Sequence, residues 1–123
     1  MMKDESDSPL LRGDKVVITE LNKYVELLTV ESDALTDLLV GHIKIDINDT
    51  TALPEIKVDL DGKPFLNDYP LLVSSLSFDW GRHLRLHGKH NKPIVIQIKQ
   101  TVAGAGNLRA AACVDGLEVP ARQ

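Results

Sequence analysis

From His42 onward, the apolar residues of this chain fall on every second position. In "HIKIDIN", Ile43, Ile45 and Ile47 point one way while His42, Lys44, Asp46 and Asn48 point the other. A period of two fits a strand with one buried and one wet face, not a helix. Similar runs recur at "EIKVDL", "LLVSSLSF", "RHLRLH", "PIVIQIKQTV" and "LRAAACV". Turn-forming residues separate them at Asp49 to Pro54, Asp61-Gly62, Asn67 to Pro70, Gly88 to Pro93, Gly104 to Asn107 and Asp115-Gly116. Short strands at intervals of about ten residues, with no helical pattern between them, leave no room for parallel βαβ units and predict an antiparallel sandwich or barrel.

The first third reads differently. "KVVITE" contains a β-branched run, Val16 to Thr19, that favours a strand. In "ELNKYVELL", Leu21, Tyr24, Val25 and Leu28 recur at i, i+3, i+4 and i+7, with Thr19 available to cap, which predicts a short amphipathic helix. A strand over Tyr24 to Val30 is the alternative. "SDALTDLLVG" predicts a second helix, with Ser32 as N-cap, Leu35, Leu38 and Leu39 on one face and Gly41 just past its end. Residues 1–13 have no apolar period and hold the acidic cluster Asp4, Glu5 and Asp7, so they read as a flexible acidic tail. The expectation is therefore a single β-rich domain over residues 14–123: mainly β, with one or two short helices near the N-terminus. An α+β fold is the alternative. A chain of 123 residues is large enough to bury such a core without staples.

Cysteine content and charge narrow the function. With Cys113 as its one cysteine, the chain cannot form an intrachain disulfide or the usual thiolate-rich zinc sites. Its setting, "AAACV", predicts a small buried residue. The opening "MMKDESDSP" is acidic and polar where a signal peptide is basic and then apolar, and no run reaches membrane-spanning length. A cytoplasmic or intracellular setting is expected, with a virion as the other option. The net charge of -4 gives no global attraction to nucleic acid or anionic lipid.

Any polyanion contact must then be local, and one stretch stands out. Arg82 to Lys92 holds four of the 14 Lys and Arg, three of the four His and none of the 18 acidic residues. On a strand, Leu84 and Leu86 face inward while His83, Arg85 and His87 face out. His83 and His87 then stand about 13 Å apart, too far to share a zinc ion whose imidazole bonds are about 2.0–2.1 Å. No metal site is expected there. A row of Arg82, His83, Arg85, His87, Lys89 and Lys92 instead suits a phosphate, a nucleic-acid backbone or an acidic protein surface, if it is more than a solvated face. Trp80 with Phe78 two residues before it reads as core.

Other motifs are weaker. "DIND" and "DLDG" supply acidic turns without the spaced ladder of a calcium loop. "VAGAGNLR" fits a glycine hairpin better than a dinucleotide loop, and "RGD" at Arg12 to Asp14 is a tripeptide that recurs by chance. No Gly-x-Ser-x-Gly, Walker or His-Glu-x-x-His motif is present, so the reading leans away from an enzyme and implies no cofactor. The leading expectation is a non-catalytic assembly or interaction module. A self-associating structural component of virion or phage type, with its basic strand against acidic surfaces, is one concrete form. The alternatives are a phosphate-ligand or nucleic-acid-binding domain, and a small β-barrel enzyme or carbohydrate binder.

Overall fold

A computed structural model describes residues 8–103 and 107–121, apart from the side chain of Arg82. Eight strands follow one another: β1 Ser8–Ile18, β2 Val25–Val30, β3 Thr36–Ile47, β4 Glu55–Leu60, β5 Lys63–Pro70, β6 Ser75–Leu86, β7 Ile94–Lys99 and β8 Leu108–Pro120. They form two four-stranded antiparallel sheets, in the orders β1-β8-β3-β6 and β2-β7-β4-β5. The chain passes from one sheet to the other at almost every connection, and the first and last strands lie side by side. This is the strand order of an eight-stranded jelly roll, a sandwich and not a closed barrel.

Period-two patterning produces the core. Ile94, Ile96 and Ile98 of β7 are fully buried while Val95, Gln97 and Lys99 alternate outward. Ile56 and Val58 of β4, Ile43 and Ile45 of β3, and Leu108 and Val114 of β8 complete the two inner faces. Apolar area buried this way is worth about 25 cal/mol per Å². One flank of the sandwich is closed where β1 packs on β2. At the opposite flank, Phe65 of β5 meets Phe78 of β6 edge-on at 5.3 Å and lies 6.1 Å from Trp80, so three rings bridge the two sheets.

Neither expected helix forms, and no α-helix occurs among the described residues. A slip in strand pairing lies in each segment. In β2 the pairing slips between Glu26 and Leu28, so Leu27, Leu28 and Val30 are all buried. In β3 it slips between Val40 and His42, so Leu38 and Val40 face inward in one phase and Ile43, Ile45 and Ile47 in the next. A β-bulge inserts one residue and shifts the alternation, which sets Val25 and Leu28 three apart across the β2 slip. In the second segment Leu35 lies before β3 and is 78% exposed, so it shares no face with Leu38. Gly41, expected to stop a helix, lies at that slip.

Two boundaries also move. Ser8 to Gly13 of the expected tail belong to β1, paired residue by residue with β8, and Leu10 is 1% exposed. Asp4, Glu5 and Asp7 lie outside the described residues, as do Gly104 to Gly106 of the glycine hairpin. Asp115-Gly116 is not a turn, because β8 runs straight through it to Pro120. Asp61-Gly62 does turn the chain, between β4 and β5. Both residues have positive φ, 58° and 77°, the condition for a two-residue hairpin of the tightest kind.

Candidate functional site

The basic stretch spans the end of β6 and the turn that leads to β7. Leu84 and Leu86 face inward as the alternation requires, Leu86 being 2% exposed. The outward residues do not make one continuous row. Arg82 and His83 lie opposite Gly41, where β6 carries extra residues against β3, and the Arg82 side chain lies outside the described residues. His83 lies across the glycine: a Cβ placed on Gly41 would sit 3.3 Å from the His83 ring and 3.5 Å from Asp115. Asp115 in turn is 3.8 Å from His42.

Arg85 is engaged within the chain. Its guanidinium donates to Asp37 Oδ2 at 2.6 Å, and Asp37 Oδ1 accepts the Gly88 N–H at 2.8 Å. Asp37 sits on β3 and is 1% exposed, so the pair is shielded from water on the carboxylate side. Gly88 is required there, since a Cβ would come within 2.0 Å of the Thr36 carbonyl oxygen and 2.2 Å of that of Asp33. A short charge-assisted bond in a shielded setting holds the end of β6 and its turn against β3.

His87 leaves the sheet of β6 and reaches the other one. Its backbone N–H donates to Asp61 Oδ1 at 2.9 Å and its ring Nδ1 lies 2.8 Å from Asp61 Oδ2. His90 Nε2 stands 3.6 Å from the same carboxylate. Burial pushes the Asp61 carboxyl up, but the hydrogen bonds and charge of His87, with the charge of His90, outweigh it and hold the carboxyl below its usual range. Lys89 and Lys92 extend into solvent. Folding thus brings two acids, Asp37 and Asp61, into a segment that has none of its own.

On the outer face of the β2-β7-β4-β5 sheet, Tyr24 donates its hydroxyl to Asp68. Burial first, and then that bond and the nearby carboxylates of Asp68 and Glu55, push the phenol far above its usual range. The Lys57 and Lys99 ammonium groups lie 4.7 and 4.8 Å from its ring centre, and Lys99 also pairs with Glu55 at 3.4 Å. The cluster combines the cation–π contacts of Lys57 and Lys99 with the ionic contacts of Lys99 to Glu55 and Asp68. A depression of about 480 Å³ lies over one end of the other sheet and is lined by Lys15 to Val17, Asp46 to Asn48 and Arg109 to Ala111. Among the described residues no three His, Cys, Asp or Glu side chains gather to hold a metal ion. No helix there is long and apolar enough to cross a membrane.

Cys113, expected in the core, is exposed. Its neighbours Ala112 and Val114 face inward, and alternation then puts Cys113 on the outer face. Sequence reading also missed Asp37, placed in an expected helix, and the first half of β1, placed in a tail. Leu10, Val16 and Ile18 share a parity that identifies β1, but Arg12 and Asp14 occupy the two intervening positions of that parity and break the apolar signal.

No family model matches the sequence, and no curated protein is similar to it in sequence. Solved structures do resemble the fold. A chain of the cyanophage Pam1 capsid asymmetric unit is similar with a TM-score of 0.62 at 12% identity, the likeness covering 98% of this chain and 91% of that one. The VP2 subviral particle of infectious bursal disease virus gives a TM-score of 0.34 at 13% identity over 95% of this chain and 42% of that one.

Proposed function

We propose that this chain is a non-catalytic structural component of a virion-type particle, working by association with copies of itself. The observation that carries the reading is the likeness to the cyanophage Pam1 capsid chain, which runs through nearly the whole of both chains. Each is therefore a jelly roll with little added to it, so whatever the Pam1 chain contributes to its capsid it contributes with this sandwich. Jelly rolls also serve lectins and cupins, and a fold alone does not fix a function. Two features of this chain favour the assembly reading over those. Arg85 and His87 of its basic stretch are engaged by carboxylates of the same chain, Asp37 and Asp61. Several exposed large apolar side chains lie on or beside edge strands, Leu11 and Val17 on β1, Phe65 and Tyr69 on β5, and Leu72 and Val73 just after β5, while Leu21, Leu35, Leu53 and Val102 lie in connections. Such residues suit contact with other subunits.

The test is the mass of the purified full chain across a wide concentration range, by light scattering coupled to size exclusion and by negative-stain electron microscopy. Discrete oligomers or larger regular assemblies are expected. A protein that stays monomeric at the highest attainable concentration contradicts the proposal.

A further inference from the structure

Two open sheets have four edge strands, here β1, β6, β2 and β5. An edge presents a row of unpaired backbone groups, and proteins that must not pair there interrupt it with bulges, prolines or charge. Three of the four slip in register. β2 slips register between Glu26 and Leu28, β6 carries its extra residues opposite Gly41, and β5 has two register slips together with Pro64 and Pro70. β1 differs. It too carries a proline, Pro9, and the charges Arg12, Asp14 and Lys15, but its eleven residues pair with β8 in unbroken register from Ser8↔Glu118 to Ile18↔Leu108. This leaves an edge of regular register that no strand among the described residues pairs.

Its sequence, SPLLRGDKVVI, is complementary to itself in the antiparallel sense. Gly13 is the midpoint of Ser8–Ile18. Antiparallel pairing about Gly13 sets Arg12 of one copy opposite Asp14 of the other, twice over. It sets Leu10 opposite Val16, Pro9 opposite Val17 and Leu11 opposite Lys15. Arg12 and Asp14 are exposed, as are Leu11 at 71% and Val17 at 50%. Within the chain Arg12 has a loose contact with Glu118 at 3.6 Å, and Asp14 accepts the N–H of Lys15. Both side chains keep donors or acceptors for a second partner.

Resting on the self-association proposed above, we propose that the free edge of β1 is a two-fold interface with a second copy of this chain. Pairing about Gly13 joins two β1-β8-β3-β6 sheets into one continuous eight-stranded sheet. Two-fold contacts of this kind are self-complementary by construction and are the commonest among soluble oligomers. Opposite charges placed directly across from each other support the register, and like charges there oppose it.

Two experiments test the interface. Gly13 has room for a side chain, a Cβ meeting the Ala112 carbonyl oxygen at 3.4 Å and Cys113 Cβ at 3.7 Å. A cysteine at Gly13 could therefore bond to Cys113 of its own chain, so the variant is G13C with C113S. Residues opposite each other in an antiparallel pair have Cα atoms about 4.5–5.5 Å apart, within disulfide range. Under mild oxidation this variant should run as a covalent dimer. Independently, R12D sets a carboxylate opposite Asp14 of the second copy and should weaken association about tenfold or more, while R12D with D14R restores opposite charges and should recover most of it. Circular dichroism confirms that each variant is folded. An oligomer that forms no crosslink and ignores both charge variants overturns the β1 interface while leaving self-association standing. A monomeric parent protein overturns both. Association lost in R12D and not recovered by the double variant places the contact elsewhere on β1 and overturns the register about Gly13.

Discussion

Two charged stretches, Arg12 to Lys15 on β1 and Arg82 to Lys92 at the end of β6, are treated differently by the fold. The second holds four Lys and Arg and three His with no acid of its own, yet Asp37 takes up Arg85, Asp61 takes up His87, and both acids come from other strands or turns. The first is short and mixed in sign, but it lies on an edge of unbroken register with its side chains in solvent. An excess of one charge along a sequence is thus a poor guide to what a surface offers. Register decides which charges meet a partner inside the chain and which are left to meet one outside it.

That contrast can be broken from either end. The largest effect is expected at Asp37. Replacing it by Ala strands a shielded guanidinium and the Gly88 N–H, and should cost about 3 kcal/mol in urea unfolding while leaving association unchanged in the folded fraction. A loss below about 0.5 kcal/mol, the usual range for surface changes, would show that the stretch is not held by this pair. R12D on β1 should show the opposite profile, with a large effect on association and little on the unfolding midpoint.

Asp61 gives a smaller, pH-dependent effect. A carboxyl held below its ordinary value of 3.8 in the folded state contributes stability that is fully present above that value and is lost as pH falls through the lower, folded value. Between neutral pH and pH about 3, the native protein should therefore lose more stability than the D61N variant does. Parallel unfolding midpoints for the two proteins across that interval would remove Asp61 as the anchor of His87. The smallest effect is expected at Lys89 and Lys92, whose replacement by Ala should change stability by no more than about 0.5 kcal/mol.

The sheets were legible wherever alternation ran unbroken, as in "EIKVDL", which became β4 residue for residue, and in the isoleucines of β7. Legibility failed where a long-range pairing reset the phase. The slips in β2 and β3 are set by the partner strands β7, β6 and β8, far away in sequence, so no local window could contain them. The inward leucines and outward Arg85 of the basic stretch followed from strand period alone. The carboxylates that meet the stretch did not, because Asp37 and Asp61 are 48 and 26 residues from their partners. The β1 edge was hidden for a third reason. An edge strand needs less apolar alternation than a central one, so Arg12 and Asp14 could stand where buried residues would otherwise mark the strand.

Amide hydrogen exchange at low and high protein concentration tests the central comparison most directly, because it reports both edges of one sheet in a single experiment. Alternate residues of β1 direct their amides away from β8. The account predicts that these amides gain protection as concentration rises, while those on the free edge of β6 do not. Exchange along β1 that is equally fast in the dilute and the associated protein would contradict it.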